Sequence, residues 1–165
     1  MSKILIVYYS LSGNTKFIAE ELQKATNADV LTLKPIKELN PDSGMKYFCG
    51  GFQANMKIKP KLESFDRNPL DYDLIILGTP VWSWTFSPPM RSFMAKFDLT
   101  GKKVALWVCC AGNGIKALSR FKNEFSEPNI IGERIFIEPK EKNLEESATR
   151  AAEWGKELLG ALFGA

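Results

Sequence analysis

Apolar runs alternate with helical stripes along this chain. Ile4–Tyr9 (ILIVYY) is continuous, apolar and β-branched, the mark of a strand buried on both faces. Phe17, Ile18, Leu22 and Ala25 then recur at helical spacing. Asp29–Leu33 (DVLTL) reads as a shorter second strand and Asp73–Gly78 (DLIILG) as a third buried one. Met90, Phe93, Met94 and Phe97 mark a helix, which Pro88 and Pro89 would start, because the first helical position needs no N–H. Lys103–Cys110 (KVALWVCC) is a fourth strand, and Ile115, Leu118, Phe121 and Phe125 a further helix. Ile130–Ile137 (IIGERIFI) is a fifth strand, and a stripe from Leu144 to Leu162 describes a long closing helix.

Strands and helices in alternation predict an α/β fold: a single domain over 1–165, with a five-stranded parallel sheet between two helical layers. In such sheets the ligand crevice lies beyond the strand C-termini, where the strand order reverses. That rule selects three loops, those after Tyr9, Gly78 and Val108. One connection, 34–71, breaks the alternation. Pro35, Pro41, Pro60 and Pro69 punctuate it, Gly50 and Gly51 sit in its middle, and it shows no clean helical period. Its aromatics, Tyr47, Phe48 and Phe52, argue against disorder.

The first loop, Ser10-Leu11-Ser12-Gly13-Asn14-Thr15, closes a strand and opens a helix. The first turn of a helix leaves backbone N–H groups unpaired at the positive end of its dipole, which suits an anion. Gly13 admits close approach, and Ser10, Ser12, Asn14 and Thr15 add side-chain donors. A helix cap requires one such residue rather than several. Neither GxxxxGK[ST] nor GxGxxG is present, so a single terminal phosphate is the better occupant. In the second loop, Gly78–Met90 (GTPVWSWTFSPPM), Trp82 and Trp84 either offer flat faces to a planar ring or pack beneath the long connection. The third, Cys109–Ile115 (CCAGNGI), is either a plain turn or a rim of small residues beside a ligand edge. Cys109 is read as buried filler and Cys110 as bordering the site. Together the loops describe a planar ring joined to one phosphate, as in FMN.

Composition narrows the chemistry. The 165 residues contain no histidine, which removes imidazole-based nucleophile pairs and proton shuttles, so a cofactor should carry any reaction. No catalytic side chain and no metal site is expected. Three cysteines, two of them adjacent, make a poor disulfide framework and fit a cytoplasmic protein. The initial apolar run is too short for a signal peptide or a membrane span. The net charge is +3. The excess gathers between Lys34 and Leu70, where seven basic residues face four acidic ones and read as a solvated loop rather than a nucleic-acid surface.

The loop Ser10-x-Ser-Gly-Asn-Thr15, the stretch Tyr72–Trp82 (YDLIILGTPVW) and the stretch Asp98–Gly114 resemble the flavodoxin family, and the likeness runs from Lys3 to about Leu159. The resemblance implies a flavodoxin-like sheet of order 2-1-3-4-5 and non-covalent FMN. It assigns Ser10, Ser12, Gly13, Asn14 and Thr15 to the phosphate, Thr79, Pro80, Val81, Trp82 and Trp84 to the ring, and Cys110, Ala111, Gly112, Asn113 and Gly114 to its edge. The third loop lacks the aromatic that many flavodoxins stack on the outer ring face, and Tyr47, Phe48 or Phe52 could supply one. Flavodoxins are usually strongly acidic, whereas this chain is slightly basic. The implied activity is electron carriage between redox partner proteins, by a monomer or weak homodimer with no membrane or nucleic-acid partner. The alternatives are a small FMN-dependent NAD(P)H oxidoreductase passing electrons to a small acceptor such as a quinone, and a non-redox module that binds a phosphate-bearing ligand.

Overall fold

The computed structural model describes residues 1–127 and 129–164, leaving aside the side chains of Lys46, Tyr47 and Phe48. The elements run β1 (Ile4–Tyr8), α1 (Asn14–Thr26), β2 (Asp29–Thr32), α2 (Met45–Asn55), β3 (Leu74–Trp82), β4 (Thr85–Phe86), α3 (Pro88–Lys96), β5 (Lys103–Cys110), α4 (Ile115–Lys122), β6 (Asn129–Ile137) and α5 (Leu144–Phe163). The sheet order is β2-β1-β3-β5-β6, with the two-residue β4 paired only to β3. Without that short strand this is the expected 2-1-3-4-5, and all of its pairings are parallel.

Side chains alternate across the sheet, as extended backbone requires. Ile4, Ile6, Tyr8, Leu74, Ile76, Trp107 and Phe136 meet Ile18 and Leu22 of α1 and Trp154 and Leu158 of α5. Leu5, Val7, Ile75, Leu77, Leu106 and Val108 meet Met90 and Phe93 of α3 and Leu118 and Phe121 of α4. Burial on both faces is why these strands are apolar without interruption. The order reverses between β1 and β3, and the crevice opens there. Among the described residues no helix is long and apolar enough to cross a membrane.

The long connection corrects the sequence reading, because it contains a helix. α2 (MKYFCGGFQAN) carries its small residues inward: Gly50 and Ala54, one turn apart, are buried, while Met45 and Phe52 are exposed. A Cβ on Gly50 would lie 3.1 Å from the Trp82 ring, so the helix docks through bare backbone. A helix whose buried positions carry small residues, with Met45 and Phe52 exposed, gives no hydrophobic period. The two limbs of the connection pair with each other: Ile36 N–H donates to Lys61 O (2.9 Å) and Glu63 N–H to Lys34 O (2.7 Å). Other boundaries shift modestly. β3 continues past Gly78 to Trp82, and α4 stops at Lys122, short of Phe125.

Candidate functional site

β1 ends at Tyr8, and α1 begins six residues later with Gly13 at its N-cap in the left-handed region (φ 102°), where a side chain is strained. No side chain caps α1. The Gly13 N–H donates to Ser10 Oγ (3.1 Å), which tightens the loop upstream of the helix. Thr15 lies in the first turn, is 1% exposed, and its hydroxyl meets no nitrogen or oxygen partner among the described residues. Its polar neighbour is the thiol of Cys109, a weak donor and acceptor. An orphaned buried hydroxyl costs about 1–3 kcal/mol unless something satisfies it. Uncapped N–H groups and this hydroxyl address one cavity.

That cavity has a volume of about 470 Å³, within the range of ligand sites. Ser10, Leu11, Ser12, Asn14 and Thr15 line it from the first loop, and Pro80, Val81, Trp82 and Ser83 from the second. Cys109, Cys110 and Ala111 come from the third loop, Gly51 from α2, and Glu138 and Glu141 from the β6–α5 connection. Trp82 is held from two sides. The ring of Tyr9 meets it edge-on (centroids 5.5 Å apart, planes at 86°), and the backbone of Gly50 covers it from α2. Tyr9 is buried and donates to Glu38 Oε1 (2.7 Å). Burial, and then that carboxylate, push its pKa well above the ordinary phenol value, so it stays neutral.

The second loop folds back as a hairpin with Ser83 and Trp84 at its tip, both left-handed (φ 52° and 59°). Paired positive φ angles suit a two-residue hairpin but disfavour bulky residues such as tryptophan. Asn55 Nδ2 donates to Ser83 Oγ (2.8 Å) and Arg120 Nη1 to Trp84 O (3.2 Å), which holds the tip in place.

The structure separates the remaining assigned residues. Trp84 is 64% exposed and lies outside the cavity lining, because the tip points its ring outward. Thr79 is fully buried; its Oγ1 accepts the Ser87 N–H (2.9 Å) and so ties β3 to the start of α3. Gly112, Asn113 and Gly114 line a different groove with Ile115, Ile135 and Arg150, because the third loop turns away after Ala111. Phe52 is exposed, and the side chains of Tyr47 and Phe48 fall outside the described residues. Cys109 lines the cavity floor as well as filling the core, and burial pushes its thiol up to about 12. Burial also raises the Cys110 thiol, against a smaller lowering by a backbone hydrogen bond with Gly112, and the thiol donates to the Gly112 carbonyl (3.2 Å). Sequence reasoning missed Leu11, Gly51, Ser83, Glu138 and Glu141. The last two follow a strand C-terminus, a usable signal, but they lie in a charged segment that reads as a solvated turn.

A parallel α/β sandwich with a helix N-terminus, a buried free hydroxyl and a braced aromatic at its switch point defines a class of phosphate-and-ring binding proteins. The chain belongs to the flavodoxin family, whose profile matches residues 3–156. It is similar to a flavoprotein of Lactobacillus acidophilus solved in complex with FMN (26% identity, TM-score 0.71, covering 82% of this chain and 93% of that one). A candidate flavoprotein of Bacteroides eggerthii gives a TM-score of 0.78 at 22% identity (96% and 99%). The two-electron reduced flavodoxin of Megasphaera elsdenii gives 0.52 at 22% (91% and 98%). The last two likenesses bear on the fold alone.

Proposed function

We propose that this flavodoxin-family chain binds FMN and works as an electron carrier between redox proteins. The observation that carries this reading is the unpartnered, buried Thr15 hydroxyl beside an uncapped helix N-terminus, in the same cavity as Trp82. Both orphan groups fit a terminal phosphate. The N–H groups of the first turn of α1, that of Asn14 among them, with the hydroxyls of Ser10, Ser12 and Thr15, would hold it. Trp82, braced by Tyr9, offers an aromatic wall to the ring, while Pro80 and Val81 exclude water and Cys110 and Ala111 border its edge. FMN, when bound, supplies the one- and two-electron chemistry that the side chains lack. A phosphate dianion held in this weakly screened site disfavours further negative charge in the same crevice.

Exposed apolar groups beside the cavity favour a protein partner. Phe52 adjoins Gly51, Trp84 adjoins Ser83, and both large side chains are more than half exposed. The absence of a second nucleotide motif points the same way. The free states of Cys49, Cys109 and Cys110 suit a reducing cytoplasm. Anaerobic stopped-flow mixing of the FMN-loaded protein with NADPH tests the carrier role. The flavin absorbance should persist with NADPH and bleach with dithionite; rapid bleaching by NADPH would instead identify a reductase.

A further inference from the structure

The first loop carries no cation of its own, and Lys16 just inside α1 is turned to Glu20 (3.8 Å). A dianion held only by neutral donors lacks a charge partner. The β6–α5 connection brings one. At the end of β6 the chain bends at Glu138, whose φ of 40° is unusual for a residue with a side chain, and whose N–H donates to Cys110 O (2.9 Å). α1 and α5 lie side by side on one face, so this bend carries the next residues across the mouth of the first loop. There the Lys140 N–H donates to Asn14 Oδ1 (3.0 Å), and Asn14 Nδ2 donates to Glu141 Oε1 (3.2 Å). Asn14, the first residue of α1, thus clamps the connection to the loop with both ends of its amide.

This clamp sets the ammonium of Lys140 over the phosphate loop. A Cβ built on Gly13 would lie 3.0 Å from Lys140 Nζ. The neighbouring Lys142 is paired with Glu138, whereas Lys140 has no carboxylate partner among the described residues. We propose that Lys140 is a specificity-determining residue of the crevice, supplying the cation for the flavin phosphate and so favouring FMN over riboflavin. This rests on the FMN reading. A charge-assisted bond is roughly twice as strong as a neutral one, and a point charge on a flexible stem can follow a phosphate in its loop. Glu138 and Glu141 line the cavity and oppose the anion, the first paired with Lys142 and the second tethered by the amide of Asn14, while Lys140 stands beside Gly13, outside that lining.

The test is equilibrium titration of the flavin-free protein with FMN and with riboflavin, read as quenching of flavin fluorescence. Lys140→Met should weaken FMN binding about tenfold to hundredfold and leave riboflavin within about twofold. Lys140→Arg should retain most of the FMN affinity. The FMN affinity of Lys140→Met should also depend less on salt than that of the parent protein. The side chain is exposed, so the variant should melt with the parent, and circular dichroism checks this. Unchanged FMN affinity in Lys140→Met would overturn the proposal, as would equal losses for both flavins. A parent protein that quenches neither flavin would reject the FMN reading itself.

Discussion

The two ends of the crevice are built on opposite plans. The proposed phosphate end is one short stretch of chain, Ser10–Thr15, whose donors are set by a strand end, a left-handed glycine and a helix start. The proposed ring end is assembled from distant segments: Tyr9, the hairpin that carries Trp82, and α2. At the first end a buried hydroxyl is left without a partner; at the second, two residues are held in a left-handed turn. Local chemistry can thus be prepared for a ligand within six residues, whereas an aromatic wall needs tertiary support. The two ends should therefore fail differently when altered.

The largest expected effect concerns the floor between them. Cys109 has a folded pKa of about 12 against an ordinary thiol value of 9.0, because burial disfavours the thiolate. The folded state therefore keeps a proton that the unfolded chain releases. The associated stability is fully present below about pH 9 and is lost as pH rises towards about 12, at about 1.4 kcal/mol per pH unit. Urea unfolding midpoints across that window should fall more gently in Cys109→Ala. A parallel fall in both proteins would mean that the floor beneath the phosphate end is open to water.

Next, Trp82→Ala removes the wall at the ring end together with its packing against Tyr9. We expect a stability loss of about 3 kcal/mol, at the lower end for a large aromatic, and weaker binding of FMN and riboflavin alike. Calorimetric titration with both flavins checks this, and a loss confined to FMN would erase the division between the ends.

Thr15→Val should do the reverse. It removes one charge-assisted bond to phosphate, costing about 1.5–3 kcal/mol of FMN binding, and leaves riboflavin alone. Because the hydroxyl is unpartnered, the flavin-free variant should be more stable than its parent by about 1 kcal/mol in denaturant titration. A destabilised variant would show that the hydroxyl already has a partner.

The smallest effect concerns the hairpin tip. Trp84→Gly relieves a left-handed φ and should raise the melting temperature by an amount corresponding to about 1 kcal/mol, with FMN affinity unchanged because the ring lies outside the cavity. A drop in FMN affinity would bring Trp84 back to the ring.

The same contrast explains what could be read from the sequence. The parallel sheet and the Ser10–Thr15 loop were legible because each is local or periodic: apolar strands buried on both faces, and clustered small polar residues after the first; the strand order was implied by the resemblance to the flavodoxin family. Trp82 was visible as a residue type at a strand end, but its separation from Trp84 was not. Two residues apart, they differ because a left-handed turn intervenes, and Ser-Trp is not a sequence that announces such a turn. α2 was hidden because Gly50 and Ala54 give its inner face no hydrophobic signal. Glu138, Lys140 and Glu141 reach the crevice only because α5 packs beside α1, a tertiary fact that a run of alternating charges does not express. Gly112–Gly114 were drawn into the site by their small size, although the chain had already turned away after Ala111.

The most direct test of the central claim, one crevice that grips a phosphate at one end and walls a ring at the other, is a paired titration of the flavin-free parent protein with FMN and riboflavin. We predict saturable quenching by one equivalent of FMN and binding of riboflavin weaker by more than about a hundredfold, the size of two charge-assisted bonds. Equal affinity for the two flavins, or no quenching by either, would contradict it.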